Sequence, residues 1–193
     1  MWRSHLARSL YEHRNQPESR FVQLATIGLD QRPRNRTVVF RGFLEDKDCL
    51  KKDCLKIVTD SRSQKSAQIL ANPWAEVNWY FTKTRSQFRI LGKLILIGRE
   101  CQDSELQSAR KAAWQALSEP ARIQFAWAHP RAMRSADVVE VDLPDPNHPL
   151  DSFCLLLLEP TEVDRLELRG TPQNRWLYLR NEQGNWTEQE VNP

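Results

Sequence analysis

Ala75-Glu76-Val77-Asn78-Trp79-Tyr80-Phe81, the polar link Thr82-Lys83-Thr84-Arg85-Ser86, and Gln87-Phe88-Arg89-Ile90-Leu91-Gly92-Lys93-Leu94-Ile95-Leu96-Ile97 decide the fold. Aromatic and β-branched residues on both sides of a short polar link read as a β-hairpin. Upstream, Phe21 to Ile27 and Asn35 to Phe40 flank Gly28-Leu29-Asp30 and predict a second hairpin, followed by a strand over Leu55 to Thr59. Downstream, Phe153-Cys154-Leu155-Leu156-Leu157-Leu158 is the longest apolar run and reads as a buried strand over Ser152 to Leu158. Val163 to Leu168 and Trp176 to Leu179 follow as strands, with a last turn at Gly184 before Trp186.

Helices frame this β-rich centre. Trp2, Leu6 and Leu10 recur at helical spacing, with Arg3, Arg8, Glu12 and Arg14 left for the wet face, so an amphipathic helix opens the chain and ends near Pro17. Thr59-Asp60-Ser61-Arg62-Ser63 offers capping residues ahead of a short helix over Lys65 to Ala71, which Pro73 closes. Ser104 to Leu117 is helical by composition, and Pro120 can open another helical turn. The lysine-rich segment Glu45 to Asp53 reads as a polar loop, and Ala128 to Pro149 as a long proline-bearing connection. The class is mainly β with appended α-helices: an antiparallel barrel or sandwich, in one domain spanning 1–193.

Lys and Arg total 28 against 25 Asp and Glu, and a net charge of +3 does not mark nucleic acid or an anionic membrane as partner. Seven Trp and seven Phe supply bulk for a sizeable core, which argues against disorder. The six glycines form neither G-x-G-x-x-G nor G-x-x-x-x-G-K-[ST], so any phosphate must be held mainly by side chains. Cys49, Cys54, Cys101 and Cys154 form no C-x-x-C pattern and read as free thiols in a cytoplasmic chain, with no metal site expected. Met1-Trp2-Arg3-Ser4-His5-Leu6 does not resemble a signal segment, and no stretch approaches a bilayer span.

Polar residues suited to an anion gather in three places: Arg36 to Arg41 on a strand, Ser63 to Lys65 at a helix start, and Gln87 at the head of a strand. Arginine offers a planar fork for phosphate oxygens, serine a hydroxyl, lysine a point charge, and a helix start free N–H groups. On a flat strand the period of two puts Arg36 and Val38 on one face and Thr37, Val39 and Arg41 on the other, so Arg36 and Arg41 share a pocket only through a twist or bulge. His5, His13, His129 and His148 read as solvated or capping residues, and Trp74, Trp79 and Tyr80 as core or interface.

Four blocks then carry a resemblance: Arg36-Thr37-Val38-Val39-Phe40-Arg41; Val58-Thr59-Asp60-Ser61-Arg62-Ser63-Gln64-Lys65-Ser66-Ala67-Gln68-Ile69; Asn72-Pro73-Trp74-Ala75; and Arg85-Ser86-Gln87-Phe88-Arg89-Ile90-Leu91-Gly92. In order and spacing they resemble the pyridoxamine 5′-phosphate oxidase family, weakly continued by Ala126-Trp127 and ending at Asn174-Arg175-Trp176-Leu177-Tyr178. The resemblance implies an FMN-binding split β-barrel acting as a homodimer, with a flavin in each of two grooves at the subunit interface. It assigns FMN contacts to Arg36, to Thr37, Val38 and Val39 along the ring, to Val58 and Thr59, and to Ser63, Gln64 and Lys65 at the phosphate. Gln87 is then the residue reaching the flavin from the partner subunit, and Arg175 a late arginine on the ring side.

Several departures accompany the resemblance. Gln64 stands where the family has a phosphate-binding arginine, with Arg62 nearby as a replacement charge. Arg41 takes the place of a substrate lysine, and Trp114, Ser118 and Arg122 stand approximately at the substrate positions of the long helix. Thr171 and Gln173 replace an Arg-x-His pair, and Leu166 replaces a tryptophan expected near the flavin. The implied activity is that of an FMN-dependent oxidoreductase passing hydride between a small substrate and flavin, with no catalytic side chain assigned. The alternatives are a genuine pyridoxamine/pyridoxine 5′-phosphate oxidase and a flavin- or haem-binding module without turnover.

Overall fold

A computed structural model describes residues 1–44, 53–134 and 141–193. Helix α1 (Trp2–Glu12) leads through a 3₁₀ turn (Pro17–Arg20) into β1 (Phe21–Ile27) and β2 (Pro33–Val39). Next come β3 (Leu55–Asp60), α2 (Gln64–Ala71), β4 (Trp74–Phe81) and β5 (Ser86–Ile97). Helices α3 (Ser104–Gln115) and α4 (Glu119–Arg122) precede β6 (Phe153–Glu167), β7 (Asn174–Arg180) and β8 (Trp186–Val191). The predicted lysine-rich loop lies largely outside the described residues, as do Cys49 and the middle of the long connection; Cys101 and Cys154 are free thiols.

All strand pairings are antiparallel, in the order β2-β1-β4-β5-β6-β7-β8, with β3 beside β6. Beyond β2 the chain crosses to β3: Arg41 N–H donates to Lys56 O, Lys56 N–H to Gly42 O, and Leu44 N–H to Cys54 O, around a bridge between Phe43 and Leu55. These bonds close β2, β1, β4, β5, β6 and β3 into a barrel. Its interior holds alternate residues of every wall: Val22 and Leu24, Val77 and Trp79, Phe88 and Ile90, Leu55 and Ile57, Leu156 and Leu158. Trp79 packs edge-on to Phe40 with ring centroids 4.8 Å apart, within the favourable range for aromatic pairs.

The first half of β6 is buried on both faces, because Leu155 and Leu157 point outward onto α3 while Leu156 and Leu158 point in. Double burial accounts for a continuous apolar run where one-sided burial gives alternation. The sequence predicts two strands here, separated around Pro160; the structure has one, Phe153–Glu167. Gly92 faces Pro160 and Leu91 faces Glu162, so Thr161 is bulged out and its hydroxyl donates to Leu91 O at 3.3 Å. The bulge absorbs the missing proline N–H without ending the strand. It also re-aims β6, so that its first half pairs with β3 and its second half with β7.

Strand β8 lies beyond the Gly184 turn, where the sequence pattern predicts no strand. Thr187 to Glu190 are all exposed, so Trp186-Thr187-Glu188-Gln189-Glu190-Val191 shows no apolar alternation. Trp186 returns to the core edge: its ring meets that of Trp2 at 5.7 Å, and its Nε1 donates to Asp53. Helix α1 buries Trp2, Leu6 and Ser9 and ends at His13. His13 Nε2 accepts from Lys83 N–H at 2.8 Å, so its Nδ1 carries the proton it donates to Ser9 O at 2.7 Å; this histidine is a neutral, buried cap. Among the described residues no helix is long and apolar enough to cross a membrane.

Candidate functional site

Register decides where Arg36 goes. It lies opposite Leu24, on the face of β2 that also carries buried Val38, so the guanidinium points inward beneath α2. There Nη1 donates to Thr26 Oγ1 at 2.6 Å and Leu24 O at 3.1 Å, and Nη2 to Gln68 Oε1 at 2.9 Å. Gln68 Oε1 also accepts from Thr26 Oγ1 at 2.8 Å. Lys65, on the first turn of α2, donates from Nζ to Thr59 Oγ1 at 2.6 Å and to Ser63 Oγ at 3.4 Å. Among the described residues, every hydrogen-bond partner of these two cations is neutral.

The electrostatics follow from that arrangement. Burial, reinforced by the Arg34 charge, holds Arg36 below the usual arginine value. Burial and then the Arg36 charge lower Lys65, against a weaker opposing pull from Asp60. Asp60 is not free to neutralise the pair, because its carboxylate is held by Arg62 at 2.7 Å. Ser63 stands at the N-cap of α2 without a side-chain cap bond; its hydroxyl lies 3.2 Å from Ser66 Oγ and 3.4 Å from Thr59 Oγ1. Two uncompensated cations, hydroxyl donors and an uncapped helix start form a donor set matched to a phosphate-type oxyanion.

Lys65→Met separates binding from stability. The ammonium's pKa is lower in the folded chain, so the charged group costs stability below that pKa, and the cost fades as pH rises towards the ordinary lysine range. Without the charge, the protein free of anion should melt about 2–4 °C higher, for a gain of about 1 kcal/mol at this chain length. The same variant should lose affinity for a phosphate-bearing ligand; thermal melts with and without the ligand check both halves.

The other predicted flavin contacts lie elsewhere. Gln87, Leu166 and Arg175 face one another across β5, β6 and β7, on the surface opposite the barrel interior. Gln87 Nε2 donates to Asn78 Oδ1 at 2.6 Å. Arg175 is clamped by buried Asp164 through bonds of 2.6 and 2.9 Å, and that hydrogen bonding and charge hold it above its usual value. Asp164 also faces Arg89 at 3.4 Å. Thr37 is exposed and Val39 half-buried on the outward face of β2, whereas Val38 belongs to the barrel core. One chain therefore unites Arg36, Thr59, Ser63 and Lys65 but keeps Gln87 and Arg175 on the far side of the sheet.

The remaining assignments sort by burial. Val58 packs on the Trp114, Leu117 and Phe153 cluster. Trp114, placed approximately at a substrate position from the sequence, is fully buried and donates from Nε1 to Asp145 O at 2.9 Å. Arg122, likewise, is buried and donates to Leu117 O at 2.6 Å. Both are held in packing positions, Trp114 on the buried face of α3 and Arg122 at the end of α4. Arg41 is exposed on the segment that closes the barrel, past the end of β2, and Gln64 is exposed at the start of α2. Arg62 is committed to Asp60, Phe125 O and Trp127 O, so it is not available as the replacement charge. The roles of Gln68, Thr26 and Asp164 carry no signal in the sequence: each is a common polar residue whose role appears only when strand register brings it to a cation.

Comparison with known proteins agrees with this geometry. A family model described as pyridoxamine 5′-phosphate oxidase, FMN-binding domain matches residues 1–98, from α1 through β5, including Arg36, Lys65 and Gln87. Pyridoxine/pyridoxamine 5′-phosphate oxidase 2 of Arabidopsis thaliana is 36% identical over 196 aligned residues, covering 100% of this chain and 96% of the relative. A crystal structure of a pyridoxamine 5′-phosphate oxidase-related, FMN-binding protein from Nostoc punctiforme superposes with a TM-score of 0.93 at 49% identity, covering 100% of this chain and 97% of the other. PhzG from Burkholderia lata shares the fold, with a TM-score of 0.72 at 20% identity over 98% of this chain and 91% of that one. The expected split barrel and the expected FMN cofactor both stand, and the chain belongs to the FMN-binding pyridoxamine 5′-phosphate oxidase family.

Proposed function

We propose that the chain, as a single domain, is an FMN-dependent oxidoreductase acting as a homodimer on a small-molecule substrate in the cytoplasm. The observation that carries the reading is the half-buried pair of cations, Arg36 and Lys65, whose hydrogen-bond partners among the described residues are all neutral. In this reading Arg36, Ser63, Lys65 and the first N–H groups of α2 hold the FMN phosphate, and Val58 and Thr59 continue that wall. The backbone of Thr37 to Val39 runs along the ring. When bound, FMN supplies the two-electron chemistry of its ring system. The protein's part is to fix the phosphate, orient the ring and donate hydrogen bonds to it.

Homodimerisation follows from the two-sided distribution of the expected contacts. Gln87 and Arg175 face away from the phosphate cluster of their own chain, so they serve a flavin only from a second copy. Asp164 then acts as a positioning residue, holding the Arg175 fork at a fixed angle. Sedimentation of the FMN-loaded protein should give a dimer, and Arg175→Ala should change the absorption spectrum of bound FMN while leaving phosphate-dependent affinity nearly unchanged. A monomer that binds FMN with the parent spectrum would overturn the shared site.

The narrower reading, oxidation of pyridoxamine or pyridoxine 5′-phosphate, is favoured by the name of the Arabidopsis relative and by Arg41, a cation that among the described residues bonds through its backbone. Thr171 and Gln173, at the positions of the missing Arg-x-His pair, speak against it. Formation of pyridoxal 5′-phosphate from either substrate under air decides between the broad and narrow readings.

A further inference from the structure

Resting on the FMN reading above, we infer that Arg131 supplies the phosphate-directed charge that position 64 lacks. A pocket of about 260 Å³ lies along α2, lined by Gln64, Gln68 and Arg131 together with Gly28, Asp30 and Arg34. Gln64 and Gln68 are one helical turn apart and share a face of α2. Gln68 forms the link to the cation cluster, since its Oε1 accepts from Arg36 at 2.9 Å. The pocket therefore adjoins the proposed phosphate site at the position where the family's arginine is replaced.

Charge in this pocket is uncompensated. Its lining carboxylate, Asp30, is already held by the Arg32 N–H and by Arg34 at 2.7 Å, which together keep the carboxyl below its usual range. Arg131 makes no ion pair or hydrogen bond through its side chain among the described residues. Its position is set by a turn: Ala132 N–H donates to His129 O at 3.0 Å, with Pro130 second and Arg131 third. Arg131 has φ +66°, a conformation that glycine or asparagine normally occupies at that place. Arg62 anchors the approach to this turn, because its guanidinium donates to Phe125 O at 3.0 Å and Trp127 O at 3.1 Å. Arg62 thus fastens the loop that brings Arg131 to α2, while Arg131 provides the free charge. A guanidinium reaching in from a loop replaces one lost from the helix.

The test is equilibrium titration of the FMN-free protein with FMN and, in parallel, with riboflavin, which lacks the phosphate. Arg131→Gln should weaken FMN about 10-fold, as expected for one charge-assisted contact, and leave riboflavin within about 2-fold. Adding Gln64→Arg to that variant should restore FMN affinity to within about 2-fold of the parent. Three results would overturn the inference: Arg131→Gln binding FMN like the parent, equal losses for FMN and riboflavin, or no recovery in the double variant. A parent protein that binds no FMN would sink the underlying FMN reading instead, which separates the two failures.

Discussion

Arg36→Ala lowers affinity for FMN by roughly 10- to 100-fold while riboflavin affinity stays nearly constant. The magnitude comes from the worth of a hydrogen-bonded charge, about 1.5 to 3 kcal/mol, at about 1.4 kcal/mol per factor of ten. The selectivity comes from geometry: the guanidinium is fixed by Leu24 O, Thr26 Oγ1 and Gln68 Oε1, none of which neutralises it. A forked cation held in advance loses little freedom when it meets a phosphate. Arg36→Lys keeps the charge but loses the fork, and should fall between parent and alanine variant. The folded protein should survive, because Thr26 still donates to Gln68 at 2.8 Å when the arginine is gone. Isothermal titration with both ligands measures the effect.

Gly92→Ala has the largest expected effect on stability. A Cβ at this position would overlap the Glu159 carbonyl oxygen and stand 2.8 Å from its carbonyl carbon and 2.9 Å from Pro160 Cα. The obstruction is backbone in the middle of a ladder, so no side chain can rotate away. Relief requires parting β5 from β6 at the bulge that turns β6 from β3 towards β7. Overpacking on this scale costs about 3 kcal/mol, which at this chain length lowers the melting temperature by roughly 6–12 °C. Gly98→Ala is the matched control, because its nearest neighbour would be Cys154 Sγ at an ordinary 3.5 Å. Thermal denaturation of the two variants should show the loss at position 92 only.

The sequence carries the β-strands and helices in their order because each has a one-sided or doubly buried apolar pattern. The hairpin over Trp74–Phe81 and Ser86–Ile97 and the helix over Gln64–Ala71 are recovered to within a residue or two. Legibility fails where burial is absent, as in the exposed edge strand Trp186–Val191, or where a local breaker is rescued by a distant partner, as Pro160 is by Gly92. The site divides the same way. Arg36, Ser63, Lys65 and Gln87 stand in recognisable blocks, but a spacing argument cannot say that Arg36 and Lys65 meet while Gln87 lies on the opposite surface. That depends on strand register, in which a shift of one residue exchanges the two faces. Arg62 shows the limit most clearly: its proximity to Gln64 in the chain suggests a replacement charge, yet Asp60 two residues earlier claims it.

Arg36 and Lys65, in the proposed function, form a built site for the FMN phosphate. Titration of the FMN-free parent protein with FMN and riboflavin at low and high salt tests it directly. The expected result is one FMN per chain, affinity at least ten times that for riboflavin, and a gap between the two that narrows as salt rises. Equal affinity for the two flavins at low salt, or no binding of FMN, would contradict it.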